Sequence, residues 1–172
     1  MQDSEDDARM KRADCPTAVA PEVAVLPMSE GVSLSNRHRS ETAGGPALGL
    51  SLVIPAYNEA AAIREVLNSF KAELKHIPVE TEVIVVDDHS NDHTAEIASQ
   101  VEGVRVVRNP RNLGYGHSLL RGMRVARGRY LAIADGDGSY PAAELPRLWR
   151  YVEEGADHVI GARTGRHLTS HL

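Results

Sequence analysis

From Leu50 onward the chain alternates short apolar runs with longer amphipathic stretches, and the two periods predict strands and helices in turn. Residues 50–55 read Leu-Ser-Leu-Val-Ile-Pro, a partly β-branched run closed by proline, as suits a strand buried on both faces. Ile63, Val66, Leu67, Phe70 and Leu74 then recur at helical spacing and predict one apolar stripe, with Asn58 available as the helix cap. Residues 83–86 predict a second strand, residues 90–94 supply caps for a helix through Val101, and residues 104–107 predict a third strand. Leu119, Leu120, Met123 and Ala126 predict a helix with those side chains inward and Gly128 ending it. Residues 130–134 predict strand four. Leu145, Leu148, Trp149 and Val152 predict a helix opened by Pro141 and ended by Gly155, and residues 158–160 predict strand five. This alternation predicts an α/β fold, an open, mostly parallel, Rossmann-like sheet with right-handed crossovers and helices on both faces.

Residues 1–48 have no sustained period of either kind and predict a disordered tail. The weak apolar run at 23–26 is too short to assign. Residues 49–172 therefore carry the domain. Within 172 residues, 42% hydrophobic content concentrated in that segment suffices for one core. A formal net charge of −5 argues against a broad nucleic-acid-binding surface. Cys15 is the one cysteine, so neither an intrachain disulfide nor a cysteine-based zinc site can form, which suits a reducing, cytoplasmic setting. The charged first residues do not read as a secretory signal. No apolar run is long enough to span a membrane.

Ligands of open parallel sheets bind beyond the carboxyl ends of the strands. Three predicted strands end in polar residues: Pro55-Ala56-Tyr57-Asn58-Glu59, Asp87-Asp88, and Asp135-Gly136-Asp137-Gly138-Ser139. Each aspartate alone reads as a turn or cap residue. Parallel strands would bring all three groups to one edge, where five carboxylates repel unless a cation or donor-rich ligand joins them. Asp135 and Asp137 are two hard ligands on a short loop, suited to Mg²⁺ or Mn²⁺ whose shell is completed by water and phosphate oxygens. Gly136 and Gly138 would let the backbone approach those phosphates.

Rival readings fit less well. An EF-hand counted from Asp135 would have Tyr140 and Pro146 where glycine and glutamate are required. A dinucleotide fingerprint at Gly114-Tyr-Gly116 has Leu119 in place of its third glycine. The pairs His89/His93 and His167/His171 lack a third metal ligand and read as ordinary polar residues. A haloacid-dehalogenase-type phosphatase could use Asp135 as nucleophile and Asp137 as acid/base, but Ser139 is atypical and no lysine follows.

Taken in order, Ile-Pro-Ala-Tyr-Asn-Glu (54–59), Val-Val-Asp-Asp-His-Ser-Asn-Asp-His-Thr (85–94), Asn-Leu-Gly-Tyr-Gly (112–116) and Asp-Gly-Asp-Gly-Ser-Tyr-Pro (135–141) resemble family 2 glycosyltransferases, over about 120 residues. Among them the chain is most similar to the branch of dolichyl-phosphate mannosyltransferases and other polyprenyl-phosphate sugar transferases. The resemblance implies a GT-A fold and inverting transfer from a UDP- or GDP-linked sugar to an acceptor, a lipid phosphate in that branch, at the cytoplasmic face of a membrane. It implies that Pro55, Ala56, Tyr57 and Glu59 line the nucleotide-base pocket, with Tyr57 against the base and Asp88 accepting from its ring N–H. It further implies that Gly114 belongs to the donor site, that Asp135, Gly136 and Asp137 hold the metal and diphosphate, and that Arg163 lies near the phosphates. Two departures stand out. His89 replaces the family's usual glycine, and the chain ends before the region where the family has its catalytic base, so no residue is assigned as base. A non-catalytic nucleotide-sugar-binding fragment is the alternative.

Overall fold

A computed structural model of the chain describes residues 24–27 and 49–161. In these residues one six-stranded sheet forms from β1 (Ala24–Pro27), β2 (Leu50–Ala56), β3 (Thr81–Asp87), β4 (Val104–Arg108), β5 (Tyr130–Ile133) and β6 (Val159–Ile160). The strand order is β4-β3-β2-β5-β1-β6. β2 pairs in parallel with both β3 and β5, and β3 in parallel with β4, so four strands point their carboxyl ends to one edge. β1 runs antiparallel between β5 and β6.

The central strand has no polar alternation because both of its faces are covered, and every residue of β2 is buried. On one face, Leu52 and Ile54 pack with α1 (Ile63–Leu74), α2 (Thr94–Ser99) and α4 (Leu145–Glu153), the last led in by a 3₁₀ turn at Ala142–Glu144. The stripe of α1 is buried as its spacing predicts, through Ile63, Val66, Leu67, Phe70 and Leu74. Each such side chain contributes about 1.5 to 3 kcal/mol by leaving water. On the other face, Val53 packs with Ile84, Val86 and Leu131 beneath α3 (Tyr115–Val125).

Four local expectations are corrected. Asn58 does not cap α1: its φ is 58°, the N-cap is Ala62, and the Asn58 side chain instead accepts from the Asn91 N–H at 2.8 Å. Leu120 does not face the core and is 50% exposed. The buried residues of α3 are Ser118 and Gly122, and a Cβ at Gly122 would lie 2.3 Å from Val53 Cγ1. The helix therefore meets the sheet through its smallest side chains, which turns Leu120 outward. Gly128 is not the end of α3, whose C-cap is Ala126; a Cβ at Gly128 would lie 2.6 Å from the Ser51 backbone nitrogen, so glycine permits close chain approach there. Finally, four residues of the segment expected to be a tail form β1, and Val25 is fully buried.

Candidate functional site

Parallel pairing brings the ends of β2, β3 and β5 to one edge of the sheet. The loops beyond β2 and β3 are laced together: the Asp88 N–H donates to the Ala56 carbonyl at 2.8 Å, Asn58 N–H to Ser90 Oγ at 3.0 Å, Glu59 N–H to Thr94 Oγ1 at 2.8 Å, and Ala60 N–H to Asp92 Oδ2 at 3.1 Å. Asp92 also accepts from the Thr94 N–H at 2.9 Å, near the start of α2. His89, between the two loops, has φ 61°, the left-handed conformation that glycine adopts without steric cost. Its Nδ1 lies 3.2 Å from the Asn109 carbonyl oxygen.

The adjacent aspartates of β3 diverge. Asp87 is fully buried and paired with Arg108 Nε at 3.0 Å, a structural use away from the cleft. Asp88 lines a cleft of about 250 Å³ together with Pro55, Ala56, Tyr57, Gly114 and Tyr115. Its Oδ1 accepts from Asn109 Nδ2 at 2.6 Å and the Leu113 N–H at 2.9 Å, and its Oδ2 from the Gly114 N–H at 2.7 Å. Burial opposes the charge, but the donors Leu113, Asn109, Gly114 and Ser118 together outweigh it and hold the Asp88 carboxyl below the usual range. Gly114, at φ 87°, is the N-cap of α3, so the turn into that helix hangs on Asp88.

Asn109 went unmarked among the candidate residues, yet it is 2% exposed and central. Besides Asp88 it donates to Ser118 Oγ at 2.8 Å, and its Oδ1 accepts from Arg121 at 2.9 Å. The signal was a polar residue directly after the third apolar run. Asp92, Tyr115 and Tyr140 were also passed over.

Beyond β5, Asp135 is half-buried, and its Oδ1 is enclosed with no hydrogen-bond partner among the described residues. The charge of this carboxylate acts on the phenols of both Tyr115 and Tyr140. Burial, then the Asp135 charge, pushes the Tyr115 phenol up to about 12, and the same causes raise that of Tyr140. Tyr115 thus lines the cleft and lies within the field of Asp135. Gly136 is buried, and a Cβ there would come within 3.2 Å of Ala56 Cβ, so the Asp135–Asp137 turn packs on the end of β2. Gly138 has φ 81°. Asp137 is exposed and accepts from the Ser139 N–H at 2.9 Å. Glu59 closes the group: burial, then the charges of Asp137, Asp92 and Asp135, raise its pKa. Of the five carboxylates expected to meet, Glu59, Asp135 and Asp137 converge and repel, joined by Asp92, while Asp87 and Asp88 are turned to other partners, and no set of three or more His, Cys, Asp or Glu among the described residues could hold a metal. Arg163 and the His167/His171 pair lie outside the described residues.

Comparison with known proteins gives this edge a context. The model of the family described as "Glycosyl transferase family 2" matches residues 51–170. The chain is 35% identical over 127 residues to the undecaprenyl-phosphate 4-deoxy-4-formamido-L-arabinose transferase of Pseudomonas savastanoi pv. phaseolicola, covering 70% of this chain and 37% of that protein. It is 31% identical over 117 residues to the dolichol-phosphate mannosyltransferase of Pyrococcus furiosus, covering 66% of this chain and 33% of that one. Among solved structures, S. aureus TarS 1-349 in complex with UDP-GlcNAc superposes with a TM-score of 0.53 at 28% identity, over 62% of this chain and 32% of that TarS 1-349 chain. The chain thus spans about a third of the length of these relatives. The Asp135 loop sits in a GT-A sheet and not in a haloacid-dehalogenase one, which displaces the phosphatase reading. With its sheet, its strand-end carboxylates and a match over residues 51–170, the chain belongs to glycosyl transferase family 2.

Proposed function

We propose that this chain forms the donor-binding part of an inverting glycosyltransferase that passes a sugar from a UDP- or GDP-linked donor to the phosphate of a polyprenyl lipid. The observation that carries the reading is Tyr115, which lines the cleft and whose phenol pKa is raised by burial and by the charge of Asp135, and this supports treating the cleft and the Asp135–Asp137 turn as parts of one site. A nucleobase in that cleft would lie along Pro55, Ala56 and Tyr57 and turn its ring N–H toward the Asp88 carboxylate. Asp135 and Asp137 would hold Mg²⁺ or Mn²⁺. The enclosed, unpartnered Oδ1 of Asp135 and the crowding of carboxylates at Glu59 fit a cation there. Two carboxylates are an incomplete shell, which the donor's phosphates would complete. The ion's part is to neutralise the diphosphate as it leaves. Gly114, Gly136 and Arg163 complete the proposed donor contacts. The names of the two curated relatives, one an undecaprenyl-phosphate and one a dolichol-phosphate transferase, support a lipid phosphate as acceptor. Such an acceptor is already ionised, so its oxygen can attack the sugar carbon without a base as the bond to the diphosphate breaks. A membrane-face location follows from this acceptor alone.

Calorimetric titration of UDP and GDP, with and without Mn²⁺, tests the proposal. Wild-type protein is expected to bind one of the two in a metal-dependent way, and Asp137→Ala to weaken that binding about tenfold or more. Folded wild-type protein that binds neither would refute the donor site. Because the chain spans about a third of its relatives, a donor-binding piece without turnover is a second reading. Transfer of labelled sugar to a polyprenyl phosphate separates the two.

A further inference from the structure

Between Glu102 and Asp135 the sequence has seven arginines and neither Asp nor Glu, in a chain whose 24 acidic residues all lie elsewhere. This stretch is the edge strand β4, the helix α3 that covers one face of β2 and β3, and the approach to β5. Three of the arginines have acidic partners: Arg105 and Arg127 meet Glu82 Oε2 at 3.5 and 3.2 Å, and Arg108 meets Asp87. Arg111, Arg124 and Arg129 are exposed and make no ion pair among the described residues. Along α3 His117, Leu120 and Arg124 are exposed at helical spacings, with Arg121 half-buried beside them on Asn109, so an apolar side chain that is 50% exposed sits beside arginines. At the end nearest the donor cleft, Tyr115 is 53% exposed.

We infer that the outward face of α3 and its arginine-rich flanks rest on an anionic lipid bilayer. The inference builds on the lipid-phosphate acceptor proposed above. Charge complementarity is the warrant: each arginine near an anionic surface contributes about 1 kcal/mol, and this run of seven is the locally basic stretch of a chain whose formal net charge is −5. The stretch therefore orients the molecule as well as binding it. Leu120 can enter the headgroup region, where apolar side chains are stabilised. Nucleic acid would satisfy the arginines and leave Leu120 unused, which is why lipid is favoured. Because α3 begins at Gly114, this orientation holds the donor cleft close to the bilayer from which a lipid phosphate would come.

Co-sedimentation of the full chain with vesicles tests this, using pure phosphatidylcholine and mixtures with phosphatidylglycerol, none containing polyprenyl phosphate. Binding is expected only to the anionic vesicles and is expected to be largely lost at about 0.5 M salt. Arg124→Glu/Arg129→Glu should reduce it about tenfold or more. Arg147→Glu/Arg150→Glu on α4 changes net charge equally and should reduce it far less. Leu120→Gln should weaken vesicle binding and leave any RNA binding unaltered. Nucleotide titration of the same α3 variant reads the donor site separately, so loss of one property is distinguishable from loss of the other. Absence of wild-type binding, equal binding to neutral vesicles, equal loss in the α4 variant, or displacement from vesicles by RNA of mixed sequence would each overturn the inference.

Discussion

Asp88 and Glu59 stand at the same sheet edge and are pushed in opposite directions, because one is surrounded by donors and the other by charges of its own sign. Asp88 is held ionised by N–H and O–H groups that also fix the turn into α3. Glu59 is penalised first by burial and then by Asp137, Asp92 and Asp135. An acid whose folded pKa is raised above its ordinary 4.5 destabilises the fold at pH values above that raised pKa. The penalty fades as pH falls through it and is gone below the ordinary value. Glu59→Gln is therefore expected to stabilise the metal-free protein at pH 7. With solvent screening the gain is about 0.5 kcal/mol, or roughly 1 to 2 °C in Tm for a domain of this size. Scanning calorimetry at neutral pH and again near pH 4 checks it, since the advantage should vanish at the lower pH. An unchanged Tm at pH 7 would mean that the carboxylates do not strain one another.

At the scale of elements, α3 is held by its small residues. Helix propensity favours alanine over glycine by about 1 kcal/mol in a helix interior, so Gly122→Ala would stabilise an exposed helix. Here the added methyl would meet Val53 Cγ1 at 2.3 Å and Val86 Cγ2 at 3.1 Å, both in the sheet interior. Overpacking of this kind costs about 1 to 3 kcal/mol, which outweighs the propensity gain. Urea denaturation of Gly122→Ala should show a net loss, and lifting α3 should also weaken nucleotide binding at its first turn. The same residue marks what was legible in the sequence. Apolar runs and stripes disclosed β2 to β6 and the four helices, because burial on two faces or one dictates those periods. Periodicity registers large apolar side chains and is blind to close approach, so Leu120 was expected inward where Gly122 belongs. The candidate site was legible only as acidic residues that follow apolar strands, at Asp88, Asp135 and Asp137. Asn109 and Asp92 act through hydrogen bonds to residues distant in sequence, and no local spacing encodes those.

For the whole molecule, the decisive contact is the least local one. β1 is separated from the rest of the described chain by residues 28–48, and its run of four residues is too weak a pattern to identify a strand. Its register nevertheless sets Val25 opposite Ala132 of β5 and Val159 of β6, with no exposed surface on the valine. Without β1, neither β5 nor β6 has a neighbour at that position, and each would present unpaired backbone groups that cost stability and invite association. Val25→Asp separates this arrangement from a tail that merely trails the domain. A carboxylate placed between Ala132 and Val159 would be buried without a partner, or would force β1 out of the sheet. Either route costs about 3 kcal/mol or more, a large fraction of the roughly 5 to 15 kcal/mol that stabilises a domain. Urea unfolding followed by circular dichroism should show a clearly lower midpoint for Val25→Asp. If residues 1–48 stood outside the fold, the midpoint would not move, because an aspartate in a solvated tail perturbs nothing it touches.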